Sequence, residues 1–419
     1  MKKLIIEGQR KLSGEVKISG AKNSVVALIP ATILTSGKCV LEHVPDISDV
    51  RILIKMMEQL GSHVTFENEV LTIDNKDVKN VPITEEYASK LRASYYFMGS
   101  LLGKYGKAEI AYPGGCIIGS RPIDFHLKSF RKMGTEITDN DGRYEFVAPT
   151  LKAVDIFFDV PSVGATINVM IAAVLAKGTT VIRNAAREPE IINVATLLNS
   201  MGAKVHGAGT DQITIEGVKE LGDGYVEVIP DRIEAGTYVI IGALLGDNLK
   251  ISNVVTDHIA SLLYKLKEAG VKYKVEDNTI TISAAKKIAP MTIKTTVYPG
   301  FPTDLGQPLS TLLTQCDGES LFEETIYENR LRHVPYLNNM GANIKAFDTK
   351  AIIEGPTPLK GKKVKATDLR AGASMLVAGM IAKGTTEITN IEHLLRGYER
   401  IVDKLNKVGA NIQLIDEEE

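Results

Sequence analysis

The segment from Tyr112 to Pro122 carries a reactive side chain in an irregular stretch of sequence. It contains three glycines and two prolines around Cys116. So many turn-forming residues favour a surface loop, which is the usual place for a lid over a site. Arg121 follows five residues after Cys116 and could help to set the pKa of the thiol. A thiol that titrates near neutrality can act as a general acid or as a nucleophile.

A carboxylate follows a second stiff segment, Tyr298–Asp304. Two prolines and one glycine come directly before Asp304 in this stretch. Such a rigid approach would hold a general base well, although an aspartate at a helix start is more often an N-cap. Asp304 is therefore the candidate base, with a capping role as the alternative.

The elements that must position these groups repeat six times along the chain. An apolar or small residue followed by glycine closes each unit, at intervals of 73, 68, 68, 71 and 68 residues. The six glycines are Gly61, Gly134, Gly202, Gly270, Gly341 and Gly409. Each follows an amphipathic run, which predicts a helix that ends on a left-handed glycine.

The first half of each unit predicts a buried helix. Small and polar residues open apolar runs at Ala21, Leu91, Val163, Glu234, Thr303 and Leu369. These runs are apolar nearly all round, as in helices that are fully buried. Six strand and helix units of about 70 residues, in two bundles of three, predict an α/β protein of two similar domains. Helices would lie inside each domain and sheets outside.

Charged residues stand at several of the predicted helix starts. Lys22, Arg92 and Arg370 occupy equivalent places in the repeat. One charge at a helix start is usually solvated, but three cations beside helix N-termini favour an anion site, because each terminus carries about half a positive charge. Arg330 and Arg396 add cations in predicted loops, where isolated arginines are usually solvated.

Composition excludes several classes of protein. The 419 residues include 49 Lys plus Arg and 51 Asp plus Glu, so no overall positive field would attract nucleic acid or anionic lipid. Three cysteines without CxxC spacing argue against a disulfide framework and fit a reducing cytoplasm, with Cys39 and Cys316 as structural residues. We expect no signal peptide, membrane span, metal site, or ATP or NAD motif.

Seven motifs follow one another along the chain. They are SGAKN at 19–23, PGGCIIGSRP at 113–122, SVGAT at 162–166, FPTD at 301–304, ENR at 328–330, DLRA at 368–371 and RGY at 396–398. Together they resemble the UDP-N-acetylglucosamine 1-carboxyvinyltransferase family of enolpyruvyl transferases. The likeness covers essentially the whole chain, and the ordered set is highly specific although each motif alone is weak.

The resemblance implies a reaction and a fold. The enolpyruvyl group of phosphoenolpyruvate would pass to the 3-hydroxyl of UDP-N-acetylglucosamine through a tetrahedral ketal, with release of phosphate and no cofactor. This is the first committed step of peptidoglycan synthesis. The implied fold has two inside-out α/β domains, residues 22–229 and residues 1–21 plus 230–419, with the active site in the cleft between them.

The resemblance also implies residue roles. Cys116 would protonate the methylene carbon of phosphoenolpyruvate and react with fosfomycin, and Asp304 would take the proton from the sugar hydroxyl. Lys22, Arg121 and Arg396 would hold the phosphate, and Arg330 and Arg370 the carboxylate. The nucleotide sugar would contact Asn23, Arg92, Arg121, Pro122, Ile123, Asp124, Phe125, Val160, Pro161, Ser162, Val163 and Ile326.

Two alternatives stay open. The sister enzyme that uses shikimate 3-phosphate has a similar fold and phosphoenolpyruvate site but lacks the cysteine loop. A catalytically silent paralogue would bind the nucleotide sugar without turnover. The chain departs from the family pattern in two places, where Gly306 stands before Gln307 and where Leu395 precedes Arg396.

Overall fold

The computed structural model describes residues 2–114 and 123–416 and divides them into two compact units. The N-terminal unit comprises residues 20–114 and 123–229, and the C-terminal unit comprises residues 2–19 and 230–416. Each unit has its own core of buried apolar side chains. The domain boundaries predicted from the sequence stay a prediction, and among the described residues the compact units differ from them at residues 20 and 21.

Fourteen α-helices lie within the described ranges. They are α1 Lys22–Ala31, α2 Ser48–Gln59, α3 Glu85–Ala88, α4 Tyr96–Tyr105, α5 Asp124–Lys132, α6 Val163–Ala173, α7 Pro189–Ser200, α8 Arg232–Leu245, α9 Ala260–Glu268, α10 Thr303–Leu313, α11 Val334–Asn339, α12 Leu369–Ile381, α13 Glu392–Leu395 and α14 Ile401–Lys407. Three short 3-10 helices span Thr32–Leu34, Arg92–Tyr95 and Thr256–Ile259.

The same ranges contain 23 strands. They are β1 Lys2–Glu7, β2 Glu15–Lys17, β3 Lys38–Glu42, β4 His63–Glu67, β5 Val70–Asp74, β6 Lys107–Ala111, β7 Glu136–Asn140, β8 Arg143–Val147, β9 Asp155–Phe157, β10 Thr179–Arg183, β11 Lys204–His206, β12 Gln212–Glu216, β13 Gly224–Glu227, β14 Leu249–Ser252, β15 Tyr273–Glu276, β16 Thr279–Ile282, β17 Thr292–Lys294, β18 Gly318–Glu323, β19 Asn343–Phe347, β20 Lys350–Gly355, β21 Lys363–Lys365, β22 Thr385–Thr389 and β23 Asn411–Asp416.

The strands form six sheets in the described part of the chain, three in each unit, and five of the six share one topology. In these five, a short edge strand pairs in parallel with its neighbour, and two antiparallel strands complete the sheet, as in the order β17-β18-β20-β19. The sixth has the order β6-β8-β7, with a parallel bridge from Ile83 to Ile110 in place of the edge strand. The repeat read from the sequence is thus a repeat of structure.

The predicted helix ends are confirmed. Each of the six marker glycines follows a helix and has a left-handed backbone, with φ of 95°, 90°, 101°, 89°, 108° and 110° in chain order. A side chain at such a φ would be strained, which is why glycine stops these helices. The spacing of the repeat therefore reflects a recurrent helix-to-strand turn.

Six helices, one from each repeat, are buried along most of their length: α1, α4, α6, α8, α10 and α12. Two starts differ from the prediction. Helix α8 begins at Arg232, two residues before Glu234, because the Asp231 side chain accepts hydrogen bonds from the backbone of Ile233 and Glu234. The apolar run after Leu91 opens with the 3-10 turn Arg92–Tyr95 before α4 begins.

A buried amide joins three elements of the N-terminal unit. Asn168 in α6 donates to the Tyr95 carbonyl at 2.8 Å and accepts from the Gly99 backbone at 2.8 Å. Its Nδ2 also lies 2.9 Å from Nδ1 of His126 in α5. Burial, with a smaller effect of the Arg92 charge, lowers the pKa of His126 to about 3. His126 is therefore neutral in the native state at neutral pH and accepts through Nδ1.

Within residues 2–114 and 123–416, no helix combines the length and the apolar character that a bilayer crossing requires.

The neutral His126 predicts a pH-dependent loss of stability. Between pH 6.5 and about 3 the unfolded chain binds a proton that native His126 does not, so folding weakens as the pH falls. In His126→Gln this contribution disappears. We expect the decrease in unfolding free energy from pH 7 to pH 5 to be smaller by about 2 kcal/mol in the variant. Denaturant titrations at both pH values measure it.

The control is His206→Gln, since His206 is an exposed residue of β11. This variant should keep the pH dependence of the parent protein. An unchanged pH dependence in His126→Gln would contradict the assignment.

Candidate functional site

The described candidate residues fall into two groups, one in each unit. The N-terminal unit carries Lys22, Asn23, Arg92, Ile123, Asp124, Phe125, Val160, Pro161, Ser162 and Val163. The C-terminal unit carries Asp304, Ile326, Arg330, Arg370 and Arg396. Cys116, Arg121 and Pro122 lie outside the described residues.

An ion triplet forms the centre of the group in the C-terminal unit. Arg330 Nη2 donates to Asp304 Oδ1 at 2.6 Å, and Arg370 Nη2 donates to Asp304 Oδ2 at 2.9 Å. The two arginine side chains are only 5% and 4% exposed, whereas that of Asp304 is 24% exposed. The structure thus brings together three residues separated by as many as 66 positions in the chain.

The two arginines determine the charge state of Asp304. Burial by itself would raise the pKa of this carboxyl, but the charges of Arg370, Arg330 and Arg232 reverse the effect and hold the pKa well below its usual range. Burial likewise opposes the charge of Arg370, and the neighbouring Asp304 more than compensates, so the pKa of Arg370 is raised. Asp304 and Arg370 are therefore ionised at neutral pH.

Both Asp304 and Arg370 lie in the first turn of a buried helix. Asp304 is the second residue of α10, after Pro302, and Arg370 is the second residue of α12. The Asp368 side chain caps α12 by accepting from the backbone of Arg370 and Ala371 at 2.9 and 3.0 Å. The cap places a negative charge beside an arginine that would otherwise oppose the helix dipole.

Gln307 was not anticipated as a site residue, yet it supports Arg330. Its Nε2 donates to the Arg330 carbonyl at 2.9 Å and lies 3.4 Å from Asp368 Oδ2. Its Oε1 accepts from Arg330 Nη1 at 3.4 Å. Gln307 is one helical turn from Asp304, so one helix carries both contacts to Arg330.

The departure at Gly306 has a packing reason. A β-carbon at this position would lie 2.6 Å from Cζ of Phe322 in β18. Helix α10 continues through Gly306 without interruption from Thr303 to Leu313. The glycine therefore allows the Phe322 ring to approach the first turn of the helix and does not break it.

Arg396 lies directly after α13 in a loop that packs on α12. A β-carbon at Gly397 would lie 2.7 Å from the Leu369 side chain, so the loop backbone approaches the first residue of α12 closely. The next residue, Tyr398, is buried, and its ring lies 5.5 Å from the guanidinium carbon of Arg370. This packing brings the Arg396 backbone near the ion triplet.

In the N-terminal unit, Lys22 has a fixed partner that the sequence did not reveal. Lys22 is the first residue of α1, and its Nζ lies 3.0 Å from Oδ2 of Asp49 in α2. The Asp49 side chain is almost fully buried. An ammonium group has three donors, so Lys22 can keep Asp49 and still donate to a phosphate. Asn23 follows it and is half-buried.

Arg92 supports the chain that leads toward Cys116. It opens the 3-10 turn that precedes α4, and its Nη1 donates to the Pro113 carbonyl at 3.3 Å. The next residue, Gly114, donates to the Ala88 carbonyl at 2.8 Å. A β-carbon at Gly114 would lie 1.8 Å from the Ser89 carbonyl oxygen, so this close approach requires glycine.

The other candidate residues of the N-terminal unit lie at or near the starts of α5 and α6. The Asn168 side chain connects these two helices through its contact with His126. Phe125 is in the first turn of α5, and Ser162 caps α6, where its side chain accepts from the Ala165 backbone at 3.3 Å. Val160 is 57% exposed. A single exposed apolar side chain is common on protein surfaces, so the exposure does not by itself indicate a ligand contact.

The described residues contain no group of three or more His, Cys, Asp or Glu side chains placed to hold a metal ion. Cys39 and Cys316 are fully buried, and burial raises their pKa to about 12 and about 11. Buried thiols of this kind are unreactive.

Comparisons with known proteins identify the family of this chain. A family model described as EPSP synthase (3-phosphoshikimate 1-carboxyvinyltransferase) matches residues 6–405. UDP-N-acetylglucosamine 1-carboxyvinyltransferase 1 of Streptococcus agalactiae is 52% identical over 419 residues, which is the full length of both chains. The second such enzyme of Bacillus cereus is 51% identical over 98% of this chain and 96% of its own.

Solved structures share the fold. The enolpyruvyl transferase NikO from Streptomyces tendae is 26% identical, with a TM-score of 0.90 over 99% of both chains. The EPSP synthase of Acinetobacter baumannii is 16% identical, with a TM-score of 0.76 over 99% of this chain and 100% of its own, and supports the fold alone. The fold predicted from the sequence is therefore confirmed. The chain is an enzyme of the EPSP synthase family, and within that family it belongs to the UDP-N-acetylglucosamine 1-carboxyvinyltransferases.

Proposed function

We propose that this enzyme transfers the enolpyruvyl group of phosphoenolpyruvate to the 3-hydroxyl of UDP-N-acetylglucosamine and releases phosphate. One observation carries the proposal: Asp304 sits between Arg330 and Arg370 in a chain that is 52% identical, over its full length, to enzymes named for this acceptor. A carboxylate between two buried guanidinium groups marks a place where another carboxylate can bind.

Phosphoenolpyruvate requires two cationic subsites, one for each of its anionic groups. Arg330 and Arg370 offer planar donor pairs that match a carboxylate. We assign the phosphate to Lys22, Arg121 and Arg396. Lys22 stands at the start of α1, where the helix dipole also favours an anion. The leaving phosphate carries growing negative charge, so these cations stabilise the transition state as well as the substrate.

Asp304 in the ion triplet is a weak base, because its pKa lies well below the usual range. The carboxylate of phosphoenolpyruvate has the same charge and shape as the Asp304 carboxylate. When it binds Arg330 and Arg370 it replaces Asp304 as their partner. Asp304 then loses its compensating cations, its pKa rises, and it can take the proton from the sugar hydroxyl. Binding of one substrate in this way prepares the base for the other.

Addition of the hydroxyl oxygen at C2 needs a proton at C3 of phosphoenolpyruvate. We assign its delivery to Cys116, which becomes a thiolate. The tetrahedral ketal then loses phosphate while a proton from the C3 methyl group returns to this thiolate and re-forms the methylene group, and the proton that Asp304 took from the sugar hydroxyl leaves with the phosphate. Exclusion of water protects the cationic state at C2 from hydrolysis. For the nucleotide sugar we propose Asn23, Arg92, Arg121, Pro122, Ile123, Asp124, Phe125, Val160, Pro161, Ser162, Val163 and Ile326.

The enzyme would act in the cytoplasm, in peptidoglycan synthesis for cell-wall growth and division, with no cofactor and with fosfomycin as an inhibitor. The alternative acceptor, shikimate 3-phosphate, is disfavoured by the cysteine in the PGGC motif and by the 52% identity to enzymes named for the nucleotide sugar. A silent paralogue is disfavoured because Cys116, Asp304 and Lys22 are all present.

The acceptor is tested by phosphate release from phosphoenolpyruvate. We expect release with UDP-N-acetylglucosamine and none above background with shikimate 3-phosphate. The opposite pattern would assign the enzyme to the aromatic pathway. Inactivity with both acceptors, while the nucleotide sugar binds in calorimetry, would favour the silent paralogue.

Cys116 is tested by labelling and by substitution. Fosfomycin should alkylate Cys116 and spare Cys39 and Cys316, because both other thiols are buried and have raised pKa values. Peptide mass spectrometry locates the label. Cys116→Ala should reduce turnover by at least about 10²-fold while the nucleotide sugar still binds. A label on Cys39 or Cys316, or full activity of the variant, would refute the role.

Asp304 is tested with Asp304→Asn, which keeps the shape of the side chain and removes the base. We expect kcat to fall by about 10² to 10⁴-fold. The control is Asp317→Asn, since Asp317 is an exposed residue of the same unit that pairs with Lys287. Steady-state kinetics with both substrates measure the effect. A variant within a few-fold of the parent kcat would exclude Asp304 as the base.

A further inference from the structure

Glu324 is a buried carboxylate directly after β18 that the mechanism above does not use. It is 2% exposed. Its Oε1 accepts from Thr295 Oγ1 at 2.9 Å and from the backbone of Ile326 and Tyr327 at 2.7 and 3.2 Å. Its Oε2 accepts from Thr303 Oγ1 at 2.8 Å. Two hydroxyls and two backbone amides thus converge on one side chain.

This set of donors is typical of a carboxylate that holds neighbouring groups in place. A carboxylate that accepts several hydrogen bonds in the interior has little freedom to rotate, and charge-assisted bonds are stronger than neutral ones. Oε1 accepts three hydrogen bonds and Oε2 accepts one, and the side chain is buried, so Glu324 is poorly placed to exchange protons with a substrate. The bonds to Ile326 and Tyr327 also fix the direction in which the chain leaves β18.

The partners of Glu324 connect it to two groups of candidate site residues in the C-terminal unit, one at the start of α10 and one in the segment after β18. Thr303 is the first residue of α10 and directly precedes Asp304. Ile326 is a candidate nucleotide-sugar residue, and Arg330 follows four residues later in the same segment. Thr295 makes a second connection to the segment after β18, because its Oγ1 accepts a hydrogen bond from the Thr325 backbone N–H at 2.8 Å.

We propose that Glu324 is a positioning residue for the transferase reaction. It holds the start of α10 through the Thr303 hydroxyl and the chain after β18 through the backbone amides of Ile326 and Tyr327. The inference rests on the proposed function, because it assigns Asp304 as the base and Ile326 to the nucleotide sugar. One buried carboxylate then sets the distance between the base and the sugar hydroxyl it must reach.

The two connections of Glu324 can be separated by substitution. Thr303→Val removes the hydroxyl that links Glu324 to α10 and keeps the side-chain shape. We expect a fall in kcat of about tenfold, equivalent to one lost hydrogen bond, with the KM for UDP-N-acetylglucosamine nearly unchanged. Glu324→Ala removes both connections. It should lower kcat by about 10²-fold and also raise the KM for the nucleotide sugar several-fold.

Glu324→Gln is the conservative rescue. Its amide oxygen can accept from Thr295, Ile326 and Tyr327, and its NH₂ group can donate to the Thr303 hydroxyl, which can accept as well as donate. We expect its kcat within about threefold of the parent. The matched control is Glu323→Gln, because Glu323 is the adjacent residue but pairs at the surface with Lys294 and Lys350. It should leave both kinetic parameters unchanged.

Steady-state kinetics on the full chain, with thermal melting to check folding, decide the outcome. Parent-like kcat and KM in a folded Glu324→Ala would overturn the inference. If Glu324→Ala does not fold, Thr303→Val decides, and an unchanged kcat there overturns it equally. An inactive parent enzyme would instead count against the proposed function, so the two failures are distinguishable.

Discussion

The pairing of one carboxylate with two buried guanidinium groups constrains the rest of the C-terminal unit. Arg330 and Arg370 are almost fully buried, and a buried cation without an anionic partner costs several kcal/mol. Asp304 supplies that anion, and its own partial exposure leaves one side of the triplet open to a ligand. A ligand that displaces Asp304 must itself bring an anionic group, and a planar carboxylate matches the donor geometry of the arginines. The need to balance the charges of the two buried arginines therefore also favours an anionic substrate.

The repeat explains why these charges meet at helix starts. The central helices are buried along most of their length, so their middles belong to the core. Polar groups are tolerated where a helix begins, because unpaired backbone amides there need acceptors. In α10 and α12 the same structural position carries Asp304 and Arg370, and Asp368 caps the second helix. Repetition of one unit therefore provides equivalent positions at the helix starts, and each of these positions can carry a different charged side chain.

Features that depend on local spacing could be predicted, and features that depend on distant pairing could not. The glycine at each helix end is determined by backbone conformation within a few residues, so Gly61 and its five equivalents were visible in the sequence. Recurrence of charge at helix starts likewise indicated Lys22 and Arg370. The partner of Lys22 is Asp49 in another helix, and an aspartate in the first turn of an amphipathic helix otherwise reads as an ordinary helix-start residue. Gln307 and Glu324 were missed for the same reason, since only the fold reveals what their side chains reach.

The end of β18 and the start of α10 are joined by side-chain packing and by a hydrogen bond. Phe322 and Glu324 are two residues apart, so in an extended chain their side chains point to the same side. Phe322 occupies the space that Gly306 leaves open, and Glu324 accepts from Thr303 at the beginning of the same helical turn. Asp304 lies between these two contacts. The glycine that departs from the family pattern is therefore matched to the aromatic ring opposite it. A larger residue at 306 would push the ring and the helix apart, and Asp304 would move with the helix.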